Sequence, residues 1–249
     1  MSATPAAGLG FTTLFLDAGG VLVHPSWTRI AAALARQGVA VEPAALVRAD
    51  PEAKHALDVA HGISQTTDAA RAPRYLELVL AHAGIAASAA TQAALAEVRD
   101  YHARENLWEE LPSEIVPALG RLRRAGLRLV VVSNANGRLR ALFDRIGLTP
   151  LLDDVIDSFE VGYEKPDPAI FRLALARAGA EPGRAVHVGD LYHVDVVGAR
   201  AAGVRGVLLD AAGLYADHDC PRVPTLDALV GLIEAADPRP FGPAPAVPA

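Results

Sequence analysis

The feature that most constrains the fold is a series of short apolar runs separated by segments of helical periodicity. The runs hold few polar residues, which is typical of strands buried on both faces of a parallel sheet. They lie at residues 13–16, 127–132, 155–156, 185–188 and 204–209. Because strands that alternate with helices form right-handed βαβ units, the pattern predicts an α/β fold. We expect a Rossmann-like, three-layer core with a central parallel sheet.

The segments between the runs have the spacing of amphipathic helices. One such pattern begins at Ile115, and Gly126 is well placed to end it. A second lies over residues 139–146. A third begins at Asp167-Pro168, where an N-cap residue precedes a proline at the first helical position. Each pattern lies between two predicted strands, as a βαβ unit requires.

Residues 26–106 interrupt this alternation, because their pattern is helical throughout and contains no convincing strand. An all-helical insert directly after the first strand is expected to form a cap domain outside the sheet. Pro25 and Pro112 punctuate its junctions, so hinges are predicted near residues 23–26 and 107–112. The predicted units are a core of residues 11–25 and 107–236, a helical cap of residues 26–106, and flexible termini of residues 1–10 and 237–249.

Composition argues against several classes of partner. The formal net charge of −6 disfavours nucleic acid and anionic membranes, and an anionic substrate must be drawn in by a local positive site. Cys220 is the only cysteine, so the chain has neither a disulfide framework nor a cysteine metal site. The start lacks the basic segment of a signal peptide, and no apolar run reaches the roughly 18–20 residues of a membrane span. These features predict a cytoplasmic protein.

Four polar clusters follow predicted strands, at the edge where an open α/β sheet binds its ligand. Taken singly, each has an ordinary structural explanation, such as a turn, a helix cap or a solvated loop. Their order along the chain, with the helical insert between the first and the second, is much harder to attribute to chance. The clusters are Asp17-Ala18-Gly19-Gly20-Val21, Ser133-Asn134, Lys165-Pro166, and Gly189-Asp190 followed by Asp195.

This ordered set resembles the haloacid dehalogenase superfamily of hydrolases, and the resemblance covers about residues 13–210. It implies that Asp17 is the nucleophile and that Ser133 holds the transferring group. It also implies that Lys165 is the base of the third motif, where it would offset the charge of a phosphate group. The substrate-binding set implied in the same way is Gly20, Ser133, Asn134 and Lys165.

The resemblance further implies a Mg²⁺ ion at the same site. Asp190 and Asp195 match the acids of the fourth motif that hold the ion, and Asp17 and the backbone carbonyl of Gly19 complete the predicted metal set. Within it, Asp195 would act through a metal-bound water or orient Lys165. Mg²⁺ prefers oxygen ligands of this kind and neutralises a phosphate dianion from one side, while the lysine does so from the other. In similar proteins a cap between the first and second motifs, as here, closes over the substrate.

Gly19 departs from the pattern of the family's phosphatases, which usually have a second aspartate at this position. That aspartate protonates the leaving alcohol and then activates water, a contribution of roughly 10²–10⁴-fold. A replacement acid would have to come from elsewhere in the chain. The candidates near the motifs are His24, Tyr163, Tyr192 and His193.

Three functions fit this set of residues, and we expect the first. The first is a phosphatase of small phosphate esters that acts through an aspartyl-phosphate on Asp17. The second is a carbon–halogen hydrolase of the 2-haloacid dehalogenase type, since halide leaves without a proton. That branch works without a metal and has a tyrosine at the Gly19 position, whereas Asp190 and Asp195 together favour a metal. The third is a non-enzymatic binding protein that retains the scaffold.

Overall fold

The computed structural model describes residues 9–60, 67–237 and 241–242, except for the side chains of residues 68 and 69. Residues 61–66 of the predicted cap and most of the predicted flexible termini lie outside the described residues. Within the described ranges, no helix combines the length and the apolar character needed to cross a lipid bilayer.

Two residues of the predicted flexible ends, 1–10 and 237–249, are described and buried. Leu9 and Phe241 are each 2% exposed. The Phe241 ring packs edge-on against Phe11, with ring centroids 4.9 Å apart. At these two positions, apolar side chains therefore pack against the core within segments that were predicted to be flexible.

Six parallel strands form the sheet of the described chain, in the order β3-β2-β1-β4-β5-β6. They are β1 (Thr13–Leu16), β2 (Arg128–Ser133), β3 (Asp154–Asp157), β4 (Ala185–Gly189), β5 (Arg205–Leu209) and β6 (Arg222–Val223). The five predicted runs match β1 to β5 within one residue at each end, so the predicted parallel sheet is confirmed. The prediction missed β6 because this edge strand has only two residues.

Helices cover both faces of this sheet. They are α5 (Ile115–Arg124), α6 (Leu139–Arg145), α7 (Ser158–Val161), α8 (Pro168–Ala178), α9 (Val197–Ala201) and α10 (Leu226–Glu234). Successive side chains of a strand point to opposite faces. Leu14 and Leu16 accordingly pack with α5, α6 and α10, whereas Phe15 packs with α8 and α9. This arrangement confirms the predicted three-layer core.

The insert between β1 and α5 is helical in all its described elements. Its helices are α1 (Trp27–Arg36), α2 (Pro43–Asp58), α3 (Asp68–His82) and α4 (Ala89–Arg104). They share an apolar cluster that includes Trp27, Leu34, Leu46 and Leu95, each at most 4% exposed. The expected helical character of residues 26–106 therefore holds wherever the chain is described.

The two junctions of the insert lie side by side. His24 and Glu110 exchange two backbone hydrogen bonds of 2.9 and 3.0 Å, and the Ser26 N–H donates to the Leu107 carbonyl at 2.8 Å. These residues fall within or next to the two predicted hinge segments. The chain therefore enters and leaves the insert through two adjacent segments, whose paired backbones form one short ribbon.

A further contact joins the end of α2 to the core. Asp58 is fully buried and accepts hydrogen bonds from the backbone N–H groups of Tyr192 at 2.8 Å and His193 at 3.1 Å. Both donors lie in the π-helical turn Tyr192–Val196, which follows β4. The insert is thus attached to the core beside the strand that leads to Asp190.

Candidate active site

The four predicted polar clusters meet around one cavity of about 120 Å³. They meet because β1 lies between β2 and β4, so the carboxyl ends of these three strands are adjacent. From the core, the cavity is lined by Asp17, Gly19, Ser133, Asn134, Lys165 and Asp190. From the insert, it is lined by Lys54, Arg71, Tyr75 and His102. The predicted site residues are therefore brought together beneath side chains that the sequence analysis did not single out.

Lys165 lies between two carboxylates. Its Nζ is 2.9 Å from Asp17 Oδ1 and 2.7 Å from Asp195 Oδ1, and its side chain is 1% exposed. Burial alone would lower the pKa of Lys165, but the two carboxylates outweigh it and the pKa is raised. Lys165 is thus a cation at neutral pH, which suits the offset of substrate charge and not the acceptance of a proton as a base.

Asn134 fixes the backbone that presents this lysine. Its Oδ1 accepts the Lys165 N–H at 2.7 Å, and its Nδ2 donates to the Lys165 carbonyl at 2.9 Å. These two bonds make Asn134 a positioning residue for Lys165; it also lines the cavity, and its contact with substrate stays a prediction. Ser133 differs, because its hydroxyl makes only a long 3.4 Å contact and lines the cavity.

Asp195 is held by hydrogen bonds on both of its oxygens. Oδ1 accepts from Lys165 and lies 2.9 Å from His187 Nε2, and Oδ2 accepts the Leu191 N–H at 3.0 Å. Burial would raise the pKa of Asp195, but Lys165 and His187 outweigh it and the pKa is lowered. Burial lowers the pKa of His187, so the ring is neutral and Nε2–H is the donor. His187 was not among the predicted site residues, although a histidine inside an apolar strand was a visible signal.

Three carboxylates are grouped where the metal is predicted. Asp17, Asp190 and Asp195 each offer an oxygen, and these atoms lie within 4.8 Å of one another. Mg²⁺ binds oxygens at 2.0–2.1 Å, so two ligands on opposite sides of one ion are about 4.2 Å apart. Carboxylate oxygens that lie within 4.8 Å of one another are close to this spacing, so the group fits such an ion. Asp195 fits less well as a direct ligand, because both of its oxygens are already hydrogen-bonded.

Lys54 reaches the same carboxylates from the insert. Its Nζ is 2.9 Å from Asp190 Oδ2 and 2.9 Å from Asp50 Oδ2, and Asp50 also accepts the Tyr75 hydroxyl at 2.5 Å. Burial would lower the pKa of Lys54, but Asp190 and Asp50 outweigh it and the pKa is raised. Burial raises the pKa of Asp190 to about 7, against the opposing effect of the Lys54 charge.

Gly20, for which substrate binding stays a prediction, has a clear structural role. Its N–H donates to the Val23 carbonyl at 2.9 Å. Its φ of +73° favours glycine, and a Cβ at this position would lie 1.8 Å from Asp190 Oδ2. Gly20 therefore permits the close approach of Asp190. Gly19, in contrast, lines the cavity, and a Cβ there would lie 3.2 Å from the Trp108 ring.

The four predicted replacement acids do not line the cavity that contains Asp17. They are His24, Tyr163, Tyr192 and His193. His24 lies instead beside a second cavity of about 80 Å³, and Tyr163 is 46% exposed. The Tyr192 hydroxyl donates to Asp219 at 2.6 Å. These side chains lie outside the cavity because closeness to a motif in the sequence does not determine the side to which a side chain points.

Two other proton-bearing side chains do line the cavity. His102 Nδ1 accepts the Leu107 N–H at 3.0 Å, which places the proton of the neutral ring on Nε2. Burial lowers the pKa of His102, so the ring is neutral at pH 7. Burial and the adjacent Asp50 carboxylate raise the pKa of Tyr75 well above its usual value. Both residues can donate hydrogen bonds, but neither is a strong acid.

A family model described as haloacid dehalogenase-like hydrolase matches residues 11–203. The chain is similar to mouse haloacid dehalogenase-like hydrolase domain-containing protein 3, with 41% identity over 125 residues, which are 47% of this chain and 50% of that protein. It is also similar to the glyceraldehyde 3-phosphate phosphatase of Methanopyrus kandleri, with 33% identity over 148 residues, which are 59% and 62% of the two chains. The chain thus spans about half the length of such curated relatives.

Solved structures with the same fold include phosphatases and 2-haloacid dehalogenases of this superfamily. The magnesium-bound HAD-hydrolase YfnB from Bacillus subtilis has a TM-score of 0.62 and 15% identity, over 90% of this chain and 98% of that one. This likeness supports the fold alone. The family model covers well over half of the sequence, and it includes every predicted motif. The chain belongs to the haloacid dehalogenase-like hydrolase family.

Proposed function

We propose that this protein is a Mg²⁺-dependent phosphatase of small phosphate esters and that Asp17 is its nucleophile. The observation that supports this most directly is the buried contact of Lys165 with Asp17 and Asp195, beside the carboxylate of Asp190. A buried cation and a grouped set of carboxylates suit a dianionic substrate together with a divalent metal. Relatives named as glyceraldehyde 3-phosphate phosphatase and phosphoserine phosphatase support the same class of reaction.

The Asp17 carboxylate has one oxygen oriented by the protein. Its described contacts, with Lys165 and with the Ala18 N–H at 2.7 Å, both go to Oδ1. Oδ2 would attack phosphorus, forming an acyl-phosphate while the ester P–O bond breaks and the alkoxide leaves. Water would then attack the same phosphorus, breaking its bond to Asp17 and releasing inorganic phosphate. Lys165 would offset charge on the phosphoryl oxygens throughout, and the Ser133 hydroxyl would donate a hydrogen bond to one of them.

The metal would be held by Asp17, Asp190 and the Gly19 carbonyl. When bound, Mg²⁺ supplies Lewis-acid neutralisation of the phosphoryl oxygens. Asp195 keeps Lys165 in place by its 2.7 Å contact and does not need to bind the ion directly. This assignment keeps the predicted metal set, with Asp195 in the orienting role.

The substrate is expected to be small. The cavity of about 120 Å³ is small, which favours a compact phosphate ester. Residues 26–106 would serve as a cap that closes over this substrate and excludes water.

Dehalogenation and binding without catalysis remain the alternatives. A dehalogenase would hydrolyse haloacids equally well in the presence of a chelator, whereas the proposed phosphatase would lose activity. A binding protein would hydrolyse neither class of substrate. A panel of sugar, amino-acid and aryl phosphates together with haloacids, assayed with Mg²⁺ and with EDTA, therefore separates the three functions.

The substitution Asp17→Asn tests the nucleophile. The amide cannot form an acyl-phosphate, so kcat should fall on the order of 10⁴-fold or more while the fold is retained. The exposed Asp100 provides a matched control, and Asp100→Asn should leave kcat unchanged. Circular dichroism of both variants should match wild type. Residual activity of Asp17→Asn within tenfold of wild type would remove Asp17 from this role.

A further inference from the structure

The chain has only two lysines, and both line the same cavity. Every other side chain of the Lys and Arg type in the sequence is an arginine. Lys165 contacts Asp17 from the core, and Lys54 contacts Asp190 from the insert. A site that needs a compact charge on a flexible stem favours lysine over the planar guanidinium of arginine. The placement of Lys54 is therefore a feature of the site and not a by-product of a lysine-rich surface.

Lys54 occupies a carboxylate that the metal also needs. Its ammonium group is 2.9 Å from Asp190 Oδ2, and Asp190 belongs to the group of carboxylates that could hold the ion. A monovalent and a divalent cation on one carboxylate repel each other, and the divalent ion has the larger Coulomb attraction. Metal binding and the Lys54–Asp190 ion pair therefore oppose each other.

Lys54 would remain at the cavity after losing Asp190. Asp50 lies one helical turn away on α2 and keeps its own 2.9 Å contact with the ammonium. The Tyr75 hydroxyl holds Asp50 in turn, at 2.5 Å, and Tyr75 is 5% exposed. The displaced ammonium is thus tethered on the insert side of the cavity, opposite Lys165, with one of its two partners gone.

We infer that Lys54 is a substrate-anion ligand that metal binding makes available: it pairs with Asp190 in the metal-free protein and with an anionic group of the substrate once the metal holds Asp190. The inference rests on the proposed function, since it takes the substrate to be a phosphate. It predicts that the metal binds before the anion. It also predicts that removal of Lys54 has opposite effects on the two ligands.

The test measures both ligands without turnover, in wild type and in Lys54→Met. Isothermal titration with Mg²⁺ alone should show a Kd about tenfold lower in Lys54→Met, because a competing partly buried ion pair is gone. Titration with inorganic phosphate in saturating Mg²⁺ should show a Kd about tenfold higher, because a cation is lost from the anion site. A lysine with a merely structural role would weaken both ligands or neither.

Two further variants complete the test. Lys54→Gln removes the charge but keeps a polar end, so it should reproduce both shifts if Lys54→Met folds poorly. Arg48→Met removes an exposed charge from the same helix and should change neither Kd. Mg²⁺ affinity that is unchanged or weaker in folded Lys54 variants would overturn the competition, and unchanged phosphate affinity would overturn the anion contact. The Mg²⁺ titration does not depend on activity, so its outcome is distinct from failure of the proposed phosphatase.

Discussion

The cavity has a core wall, which includes Asp17 and Lys165, and an insert wall, which includes Lys54 and Tyr75. Each wall presents one lysine, but the two lysines are held by different contacts. Lys165 is 1% exposed at its side chain and contacts two carboxylates of the core. Lys54 is 15% exposed and contacts one carboxylate of its own helix, Asp50, and one of the core, Asp190. The charge on the core wall is therefore a fixed part of the site. The charge on the insert wall depends on how the insert lies against the core.

This difference separates chemistry from recognition. Under the proposed function, the groups that act on the phosphoryl group, such as Asp17 and Lys165, line the cavity from the core. Lys54 and Arg71 line it from helices of the insert, where they would help to bind the substrate. Variants on the core wall should therefore reduce both kcat and stability, and variants on the insert wall should mainly change binding.

Among variants that compare the two walls, Lys165→Ala should have the largest effect on activity and on stability. It removes charge stabilisation from both bound substrate and transition state, so kcat/KM should fall on the order of 10³-fold. It also leaves Asp17 and Asp195 buried without their shared cation, which should cost about 3–5 kcal/mol of unfolding free energy. Steady-state kinetics and urea denaturation measure the two effects.

Lys54→Ala is the matched variant on the opposite wall. The Lys54 side chain is 15% exposed, against 1% for Lys165, so its loss of unfolding free energy should be smaller than that of Lys165→Ala. Its kinetic effect should lie in KM more than in kcat. Equal losses of kcat in the two variants would show that the walls do not differ in this way.

The core could be predicted from the sequence because its signals are local. Each buried strand is a short apolar run, and each helix boundary has its own marker, such as the Asp167 side chain that accepts the Ala169 N–H at 2.8 Å. Parallel pairing then brings the strand ends together without further information. Asp17, Lys165 and Asp195 were singled out because their clusters follow predicted strands, and the family resemblance implied their roles.

The insert wall could not be predicted in the same way. A lysine on an amphipathic helix is usually solvated, and only the packing of α2 against the π-helical turn after β4 shows that Lys54 faces Asp190. The predicted replacement acids do not line the cavity for a related reason. His24 is five residues beyond Gly19, yet the bridge between Gly19 and Val23 directs the chain toward the second cavity. Long-range packing decides such orientations.

Gly19 offers the next comparison, because it has no side chain at the position of the family's usual acid and the described insert wall supplies only the weak donors His102 and Tyr75. Aryl phosphates, whose phenolates leave without much help, should be hydrolysed faster than alkyl phosphates, on the order of 10²-fold in kcat/KM. A series of phosphates with leaving groups of increasing pKa measures this slope. A flat slope would show that an acid is already present, which would direct attention to His102 and Tyr75.

The substitution Gly19→Asp should restore part of the missing acid. The gain for alkyl phosphates should reach only the lower end of roughly 10²–10⁴-fold, because the new Cβ would lie 3.2 Å from Trp108 and the indole must shift. Gly19→Ala introduces the same crowding without a carboxyl group and serves as the control. Faster hydrolysis by Gly19→Ala as well would assign the effect to packing and not to proton donation.

The smallest expected effect concerns the attachment of the insert wall itself. Asp58 accepts two backbone N–H groups from the turn that follows β4, so Asp58→Ala should loosen the insert locally while the shared ribbon at His24 and Glu110 keeps it connected. Loss of two hydrogen bonds to a buried carboxylate should lower the free energy of local opening by about 1–3 kcal/mol. Hydrogen exchange of the Tyr192 and His193 amides should accelerate accordingly, and Asp100→Asn should leave it unchanged.

Because the core wall does not depend on this contact, amides of β1 should keep their exchange rates. Equal acceleration in β1 would mean that insert and core open as one unit, and the contrast between a fixed and a movable wall would then be wrong.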